Sequence, residues 1–270
     1  MMINISVVLY NTSIDDIERI IKTLIGYDQI QTLFFIDNSP KKNEYLNKKN
    51  KKNIKYIFTE KNLGYGKGHN IAMKESMKMN VDFHLVLNPD IYFEIETLEK
   101  LSAFMTSQPE IGHLMPKVVY PDNSIQYLCK LLPSPFNLFA RSFLPNKLYQ
   151  KLNEKYELRI SGYDKIINVP YLSGCFMFLR VYSLKEVGIF DERFFMYPED
   201  IDLTRRIHKK FKTVFYPNVS VIHRHEKASY KSLKMKFIHI VNMIKYFNKY
   251  HWFFDFDRLK INKKILSQFK

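Results

Sequence analysis

Along the first half of the chain, apolar and polar residues alternate in blocks. Ile3 to Tyr10 is a short run rich in β-branched residues, the pattern of a strand buried on both faces. Asn11-Thr12-Ser13 supplies N-cap candidates, and Ile14, Ile17, Ile20, Ile21, Leu24 and Ile25 then recur at helical spacing until Gly26. Leu33 to Ile36 predicts a second buried strand, stopped by Asp37-Asn38-Ser39-Pro40, and Asn53 to Thr59 a third. The segment Asn62 to Asn70, with Gly64, Gly66 and Gly68, leads into a helix predicted from about Ile71 to Met79. Val81 to Leu87 is another strand, ending at Asn88-Pro89-Asp90, and a helix is expected over Ile95 to Ser107. This rhythm predicts an α/β fold with a mostly parallel central sheet and flanking helices. Ligands of such sheets bind beyond the carboxyl ends of the strands. The polar corners at Asn11, Asp37 and Asn88 to Asp90 fall there.

The second half is less regular. Residues 118–165 carry several prolines and aromatics and read as a long, loop-rich segment. Tyr171 to Arg180 predicts a strand, Pro198 to Lys210 a helix, and Val214 to Tyr216 and Val219 to His223 two short strands. Residues 231–250 form a basic helical pattern with Leu233, Phe237, Ile240, Val241, Ile244 and Phe247 on one stripe. With no internal repeat and no Gly/Ser tract, the simplest organisation is one domain over 1–227 with a C-terminal helical extension over 228–270. The regular half, about 1–115, carries the polar strand ends, and 116–227 is the less regular half.

Composition narrows the class. The 270 residues are 46% hydrophobic and 15% aromatic, too rich for a disordered chain. Eight glycines and 11 prolines without period exclude collagen-like repeats. Cys129 and Cys175 are too few for a disulfide framework and lack CxxC spacing, which favours a reducing compartment. The first ten residues have no basic region or cleavage site of a secretory signal, and no run approaches the ~18 apolar residues of a membrane span. A cytoplasmic location is expected. The net charge of +15 suggests an anionic partner: nucleic acid, a lipid surface or a phosphorylated substrate. Part of the excess, Lys41 to Lys55, reads equally well as solvated surface.

Several constellations could carry chemistry. Asn88 and Asp90, two apart in extended chain, can face one ligand, and a hard cation bridging a diphosphate needs only one or two protein oxygens. The same tripeptide is also an ordinary turn. The glycine cluster matches neither GxGxxG nor GxxxxGK[ST], though glycines before a helix start allow close approach of an anion. In Tyr197-Pro198-Glu199-Asp200-Ile201-Asp202, Pro198 suits a first helical turn and Asp202 can pair with Arg205 and Arg206. Glu199 and Asp200 have no such partner in sequence, and a carboxylate there, among Phe194, Phe195 and Tyr197, could act as a general base. His223 and His225 share a face at i, i+2, a weak metal signature. No Ser-His-Asp arrangement or GxSxG elbow points to a hydrolase.

Taken in order, these segments resemble the family 2 inverting glycosyltransferases of the GT-A fold, closest to bacterial rhamnosyltransferase-like members that build surface polysaccharides such as O-antigen, lipopolysaccharide and capsule. The resemblance spans roughly Ile3 to Lys227 and rests on Ile5 to Asn11, Phe35 to Ser39, Asn62 to Asn70, Leu87 to Asp90, Leu172 to Cys175, Gly188 to Leu203 and Val221 to His223. It implies that Asp37 hydrogen-bonds the donor's pyrimidine base, that Tyr10 and Asn11 line the same nucleotide, and that Gly64, Gly66, Gly68 and Asn70 lie beside nucleotide and ribose. Asn88-Pro89-Asp90 stands where the family has its DxD motif. That leaves Asp90 as the main ligand for Mg2+ or Mn2+, with His223, or His225 in reserve, as the distal metal or diphosphate contact. Asp200 matches the catalytic base, and Glu199, Gly174 and Trp252 are candidates for the acceptor side. The implied reaction is a single displacement on a nucleoside-diphosphate sugar bound by about 1–115, with the acceptor on about 116–227 of a GT-A domain spanning 1–227. The donor is expected to be dTDP-rhamnose, with UDP-hexose or UDP-galactofuranose as alternatives. The acceptor is a glycan, expected to be lipid-linked at the inner face of a membrane, where the basic stretch 231–254 with Lys231, Lys234, Lys236, Lys245 and Lys249 would suit a peripheral contact. Nucleic acid is not expected as a partner, although the charge and the aromatics keep a nucleic-acid-binding or scaffold protein as the rival class.

Overall fold

Strand β1 (Ile3–Leu9) is buried along nearly its whole length because it has a strand on either side and helices on both faces. Its Val7 sits opposite Phe35 of β2 (Ile30–Asp37) on one side and Leu87 of β4 (Phe83–Leu87) on the other, both parallel. Outside β2 lies β3 (Ile54–Phe58), again parallel. The computed structural model describes residues 1–50, 53–137, 145–224 and 233–269. Helix α1 (Ile14–Leu24) connects β1 to β2. It starts where predicted, with Ser13 Oγ accepting from the Asp16 N–H, and buries Ile17, Ile20, Ile21 and Leu24.

Beyond β4 the sheet changes sense. Among the described residues the order is β3-β2-β1-β4, then β10 (Phe176–Arg180), β6 (Ile111–Val119), β11 (Lys212–His223) and β5 (Ile91–Tyr92), with β8 (Ile167–Asn168) beside β11. Here β10 runs antiparallel between β4 and β6, and β11 is parallel to β6. The short β5 and β8 are antiparallel to β11. The expectation of a mostly parallel sheet therefore holds for the long strands, apart from β10. The two short strands predicted over 214–223 are one strand. Pro217, which has no N–H to donate, lies where the β6–β11 register shifts, between Tyr216 and Ser220. Conversely, the run expected from Tyr171 to Arg180 is interrupted. Its first part, β9 (Tyr171–Leu172), pairs with β7 (Cys129–Lys130), and the chain turns through Ser173-Gly174-Cys175 before β10.

Helix α3 (Tyr65–Met79) begins six residues before the predicted start, so Gly66 and Gly68 lie in its first turn. The glycines serve close packing. A Cβ on Gly64 (φ +84°) would lie 2.1 Å from the Phe195 carbonyl oxygen, and one on Gly68 2.8 Å from Val8. The remaining helices are α2 (Glu44–Lys49), α4 (Ile95–Ser107), α5 (Asn146–Tyr156), α6 (Val181–Val187), α7 (Glu199–His208), α8 (Leu233–Lys249) and α9 (Phe256–Leu266). One apolar core lies between the sheet and α1 and α4, and another between the sheet and α3, α6 and α7. The segment expected to be loop-rich, 118–165, forms its own small core with Cys129, Leu131, Leu158 and Tyr163.

The C-terminal helices pack differently from the predicted stripe. Helix α8 buries Asn242, Met243, Tyr246 and Phe247 against Phe194 and Ile201, and leaves Leu233, Phe237, Ile240 and Ile244 exposed. The anchor is ionic. Arg205 of α7, expected to pair with Asp202, instead makes a two-pronged bond to Asp255 (2.6 and 2.6 Å) and lies 3.8 Å over the Tyr250 ring. Asp202 keeps Arg206 at 2.8 Å and accepts from Tyr250 Oη at 2.7 Å. Because Arg205 is almost fully buried, removing its partner strands a charge. Asp255→Ala should lower unfolding stability in urea by about 3–5 kcal/mol. Lys209→Ala, which removes an exposed pair with Asp257, should change it by less than about 1 kcal/mol.

Candidate active site

Helix α7 opens with Glu199 and Asp200, of which Asp200 lies against the turn Ser173-Gly174-Cys175 that breaks β9 from β10 and Glu199 lies beside Gly66 of α3. Asp200 Oδ2 accepts from the Gly174 N–H at 2.9 Å and Oδ1 from the Ile201 N–H at 2.8 Å. Burial raises its pKa above the ordinary carboxylate value, while the two backbone donors hold the rise in check. On the other side of the same turn, the Tyr65 hydroxyl lies 2.6 Å from the Gly174 carbonyl oxygen and 2.9 Å from Asn88 Oδ1, its one proton shared between them. The Asn88 N–H in turn donates to Cys175 O at 2.9 Å. Asn88, Gly174 and Asp200 thus meet through Tyr65 and the peptide groups at 174 and 175.

Two residues past Asn88, Asp90 faces His223 of β11. Pairing of β5 with the end of β11 sets Ile91 opposite His223, so Asp90 Oδ2 comes within 3.3 Å of His223 Nε2. Gln126 orients the ring. Its Nε2 donates to His223 O (2.8 Å), and its Oε1 lies 2.9 Å from His223 Nδ1, which must therefore carry a proton. Burial works against an imidazolium here, but neighbouring Cys175 and Asp90 lift the His223 pKa to about 10. The turn itself is clamped by Arg19 of α1. Its guanidinium donates to Pro89 O and Ile91 O (2.6 Å each), pairs with Asp16 and stacks 3.5 Å over Tyr92. With both ring nitrogens protonated, His223 offers no lone pair, so a divalent cation brought to Asp90 would have to displace the Nε2 proton before His223 could serve as a second ligand, 3.3 Å from the carboxylate oxygen. Among the described residues no group of three or more His, Cys, Asp or Glu could hold a metal. Further ligands would have to come from a bound diphosphate and water.

The ends of β1 and β2 form a third corner. Leu9 pairs with Asp37, so Tyr10 and Asn11 leave the sheet beside Asp37-Asn38-Ser39. Tyr10 is exposed, Asn11 adopts φ +51°, and its N–H donates to Ser39 Oγ at 2.8 Å. Asp37 is buried, accepting from the Ser39 N–H (3.0 Å) and the Tyr56 hydroxyl (2.8 Å). Asn38 Nδ2 reaches Gly64 O at 3.0 Å, tying this corner to the start of α3.

Several sequence-derived candidates are occupied elsewhere. The Asn70 side chain bonds the backbone N–H and C=O of Phe190 (3.0 and 2.9 Å), and Gly66 packs against Phe190. Trp252 donates to Asn248 and packs on Phe247. His225 and Lys231 lie outside the described residues. Glu199 is buried, and its Oε2 has no hydrogen-bond partner among the described residues. Burial, reinforced by the Asp200 charge, pushes its pKa well above the usual range, so it is held as the neutral acid. Sequence reasoning passed over Tyr65, Arg19 and Gln126. Tyr65 sits inside the glycine segment and could have been singled out there, whereas nothing local marks Arg19 or Gln126.

The helix-flanked sheet, with carboxylates at the turn after its fourth strand and at the start of α7, has the GT-A fold. Solved structures agree. S. aureus TarS 1–349 superposes with a TM-score of 0.54 at 18% identity, over 82% of this chain and 59% of that one, and has also been solved with UDP and with UDP-GlcNAc. GalNAc-T7, solved with UDP, GalNAc and Mn2+, gives 0.59 at 14% identity over 82% and 43%. At these identities the likeness concerns the fold. The chain belongs to glycosyl transferase family 2, whose profile matches residues 5–188. It is 28% identical over 184 residues to the N-acetylglucosaminyl-diphospho-decaprenol L-rhamnosyltransferases of Mycobacterium tuberculosis strains CDC 1551 / Oshkosh and ATCC 25618 / H37Rv. That match covers 63% of this chain and 59% of the length of those relatives.

The Glu199 acid yields a pH test. A folded-state pKa above the unfolded value means the native state binds more protons, so its contribution is fully present below about pH 4.5 and declines as pH rises towards the folded pKa. Glu199→Gln lacks this decline. Its melting temperature relative to the parent protein should rise steadily from pH 5 to pH 8; a pH-independent difference would show that Glu199 is ionised in the fold.

Proposed function

We propose that this protein is an inverting glycosyltransferase that moves a sugar from a nucleoside-diphosphate donor to a hydroxyl of a lipid-linked glycan in bacterial surface polysaccharide synthesis. The observation that supports the reading is the joining of Asp200 to the Asn88-Pro89-Asp90 turn through Gly174 and Tyr65, the arrangement expected if Asp200 is the base and Asp90 lies on the diphosphate side. The N-acetylglucosaminyl-diphospho-decaprenol L-rhamnosyltransferases support rhamnose as the sugar and a lipid diphosphate-linked acceptor, and dTDP is our proposal for the carrier. Phe34, Phe35, Phe83, Phe176 and Phe178 are fully buried core residues and cannot serve as stacking platforms for a nucleic acid.

Each residue then has a task. Asp37, Tyr10 and Asn11 border the nucleotide base at the ends of β1 and β2. Asp200 takes the proton of the acceptor hydroxyl as its oxygen bonds to the anomeric carbon. The bond from that carbon to the diphosphate breaks on the opposite face, its electron pair leaving with the nucleoside diphosphate, and the configuration inverts. A pKa lifted by burial brings Asp200 nearer to working pH, where a general base is most effective. Asp90 and His223 would hold Mg2+ or Mn2+, which when bound neutralises charge on the departing diphosphate. Gly174 fixes the direction of the Asp200 carboxylate, and Glu199, kept neutral, adds no competing negative charge beside it. No helix among the described residues is long and apolar enough to cross a membrane.

The test separates binding from chemistry. Thermal shifts with dTDP, UDP and GDP should single out one nucleotide. Its stabilisation should grow with Mn2+ and lose that metal-dependent part in Asp90→Ala. Asp200→Asn should still bind the diphosphate while transfer falls by about 10²–10⁴-fold. Full activity in Asp200→Asn, or metal enhancement that survives Asp90→Ala, would overturn the assignment.

A further inference from the structure

Helix α8 carries two rows of apolar residues, and only one of them is used by the fold. Met243, Tyr246 and Phe247 point into the protein, together with Asn242. Leu233, Phe237, Ile240 and Ile244, spaced i, i+4, i+7 and i+11, are 83%, 68%, 48% and 41% exposed. At 100° per residue the two rows lie about 120° apart around the helix. An ordinary surface helix keeps such a stripe for the core, and scattered exposed apolar residues need no explanation, but an aligned row three turns long does. The helix contains no acidic residue, and Lys234 and Lys236 flank the exposed row. Just beyond it, Phe253, Phe254 and Phe256 are also strongly exposed.

We infer that this row is a membrane-docking face, seated in the interface of an anionic bilayer with the flanking lysines at the headgroups. The inference rests on the reading of a lipid-linked acceptor and names the part of the chain that meets the lipid. Charge decides the occupant. A lysine-flanked, acid-free apolar helix on a chain of net charge +15 complements a negative lipid surface. A second copy of the same face would bring like charges together. Position agrees with this. The same helix holds the loop that leads into Asp200: Asn242 Nδ2 donates to Met196 O (2.8 Å), Lys245 Nζ to Arg193 O (3.0 Å), and the His239 ring lies 4.8 Å from that of Tyr197. A helix lying on the bilayer would therefore bring the base close to an acceptor that is itself anchored there.

The experiment is vesicle co-sedimentation of the full chain with phosphatidylglycerol-containing and pure phosphatidylcholine vesicles, at low and high salt. The parent protein should pellet with the anionic vesicles and release with salt. Phe237→Ser/Ile240→Ser should weaken this binding at least about tenfold. Because both side chains are exposed, its melting temperature and its nucleotide-induced shift should stay unchanged, so loss of vesicle binding is separable from loss of the donor site. No pelleting with anionic vesicles, or pelleting unaffected by the double substitution, would overturn the inference. So would a dimer seen by analytical ultracentrifugation that the double substitution abolishes, since it would show that a second copy covers the row.

Discussion

A single buried hydroxyl holds the candidate site together. Tyr65 is the first residue of α3, and its side chain reaches both the Gly174 carbonyl and Asn88. Burial pushes its pKa well above 10, so it stays protonated and remains a donor. Its own N–H bonds Phe195 O at 2.9 Å, in the loop that enters α7. The start of α3, the end of β4, the turn at Gly174 and the approach to Asp200 therefore share one junction. Gly64 makes it possible: any side chain there would collide with the Phe195 carbonyl. The glycines of this segment are thus needed because protein packs against protein at the junction, whatever the nucleotide asks of them.

Beneath that junction, α3 is pinned to the sheet by a polar chain inside an otherwise apolar layer. Asn4, Ser76, His84, Ser6 and His69 are buried and linked in that order at 2.7–3.0 Å. Burial lowers the His84 pKa to about 3 and that of His69 well below its usual value, so both rings are neutral. The proton positions then follow. Ser76 accepts from Asn4 and gives its one proton to Ala72 O, so His84 must donate through Nδ1 and accept at Nε2 from Ser6. Ser6 in turn accepts from His69 Nδ1–H. This leaves His69 Nε2 with a bare lone pair, which matches its lack of a partner among the described residues. Its ring meets Tyr65 at 4.4 Å. A lone pair without a donor is a milder penalty than a stranded N–H, and the chain fixes the register of α3 on β1 and β4.

What could be read in the sequence follows from how local each signal is. The elements β1, α1 and β2 announce themselves because strands buried on both faces and a capped amphipathic helix leave period and punctuation in the chain. Strand β6 does not. Gly112, His113, Pro116 and Lys117 dilute its pattern, and it becomes a strand because β10 and β11 flank it. The carboxylates at 37, 90 and 200 stand out because they sit at strand and helix ends. The groups that hold the site in place, Tyr65, Arg19 and Gln126, act across 109, 70 and 97 residues of sequence and leave no local trace. Arg205 makes the same point. Its expected partner lay three residues away, but the structure pairs it with Asp255, 50 residues on.

That last pair also explains why the C-terminal helices belong to the site's mechanics. A buried ion pair contributes little net stability, since desolvating two charges offsets most of their attraction, but it tolerates only one geometry. Arg205 and Asp255 therefore act chiefly as a position-setting contact between α7, which carries Asp200, and the turn that joins α8 to α9. Asn242, Lys245 and His239 add a second set of contacts, from α8 to the loop before α7. Between these two braces, the orientation of the exposed Leu233-Phe237-Ile240-Ile244 row is set relative to Asp200. A hydrophobic row on a flexible tail would attach the protein to whatever it binds at any angle. The same row, braced twice to α7, fixes how Asp200 would face any surface on which the row rests.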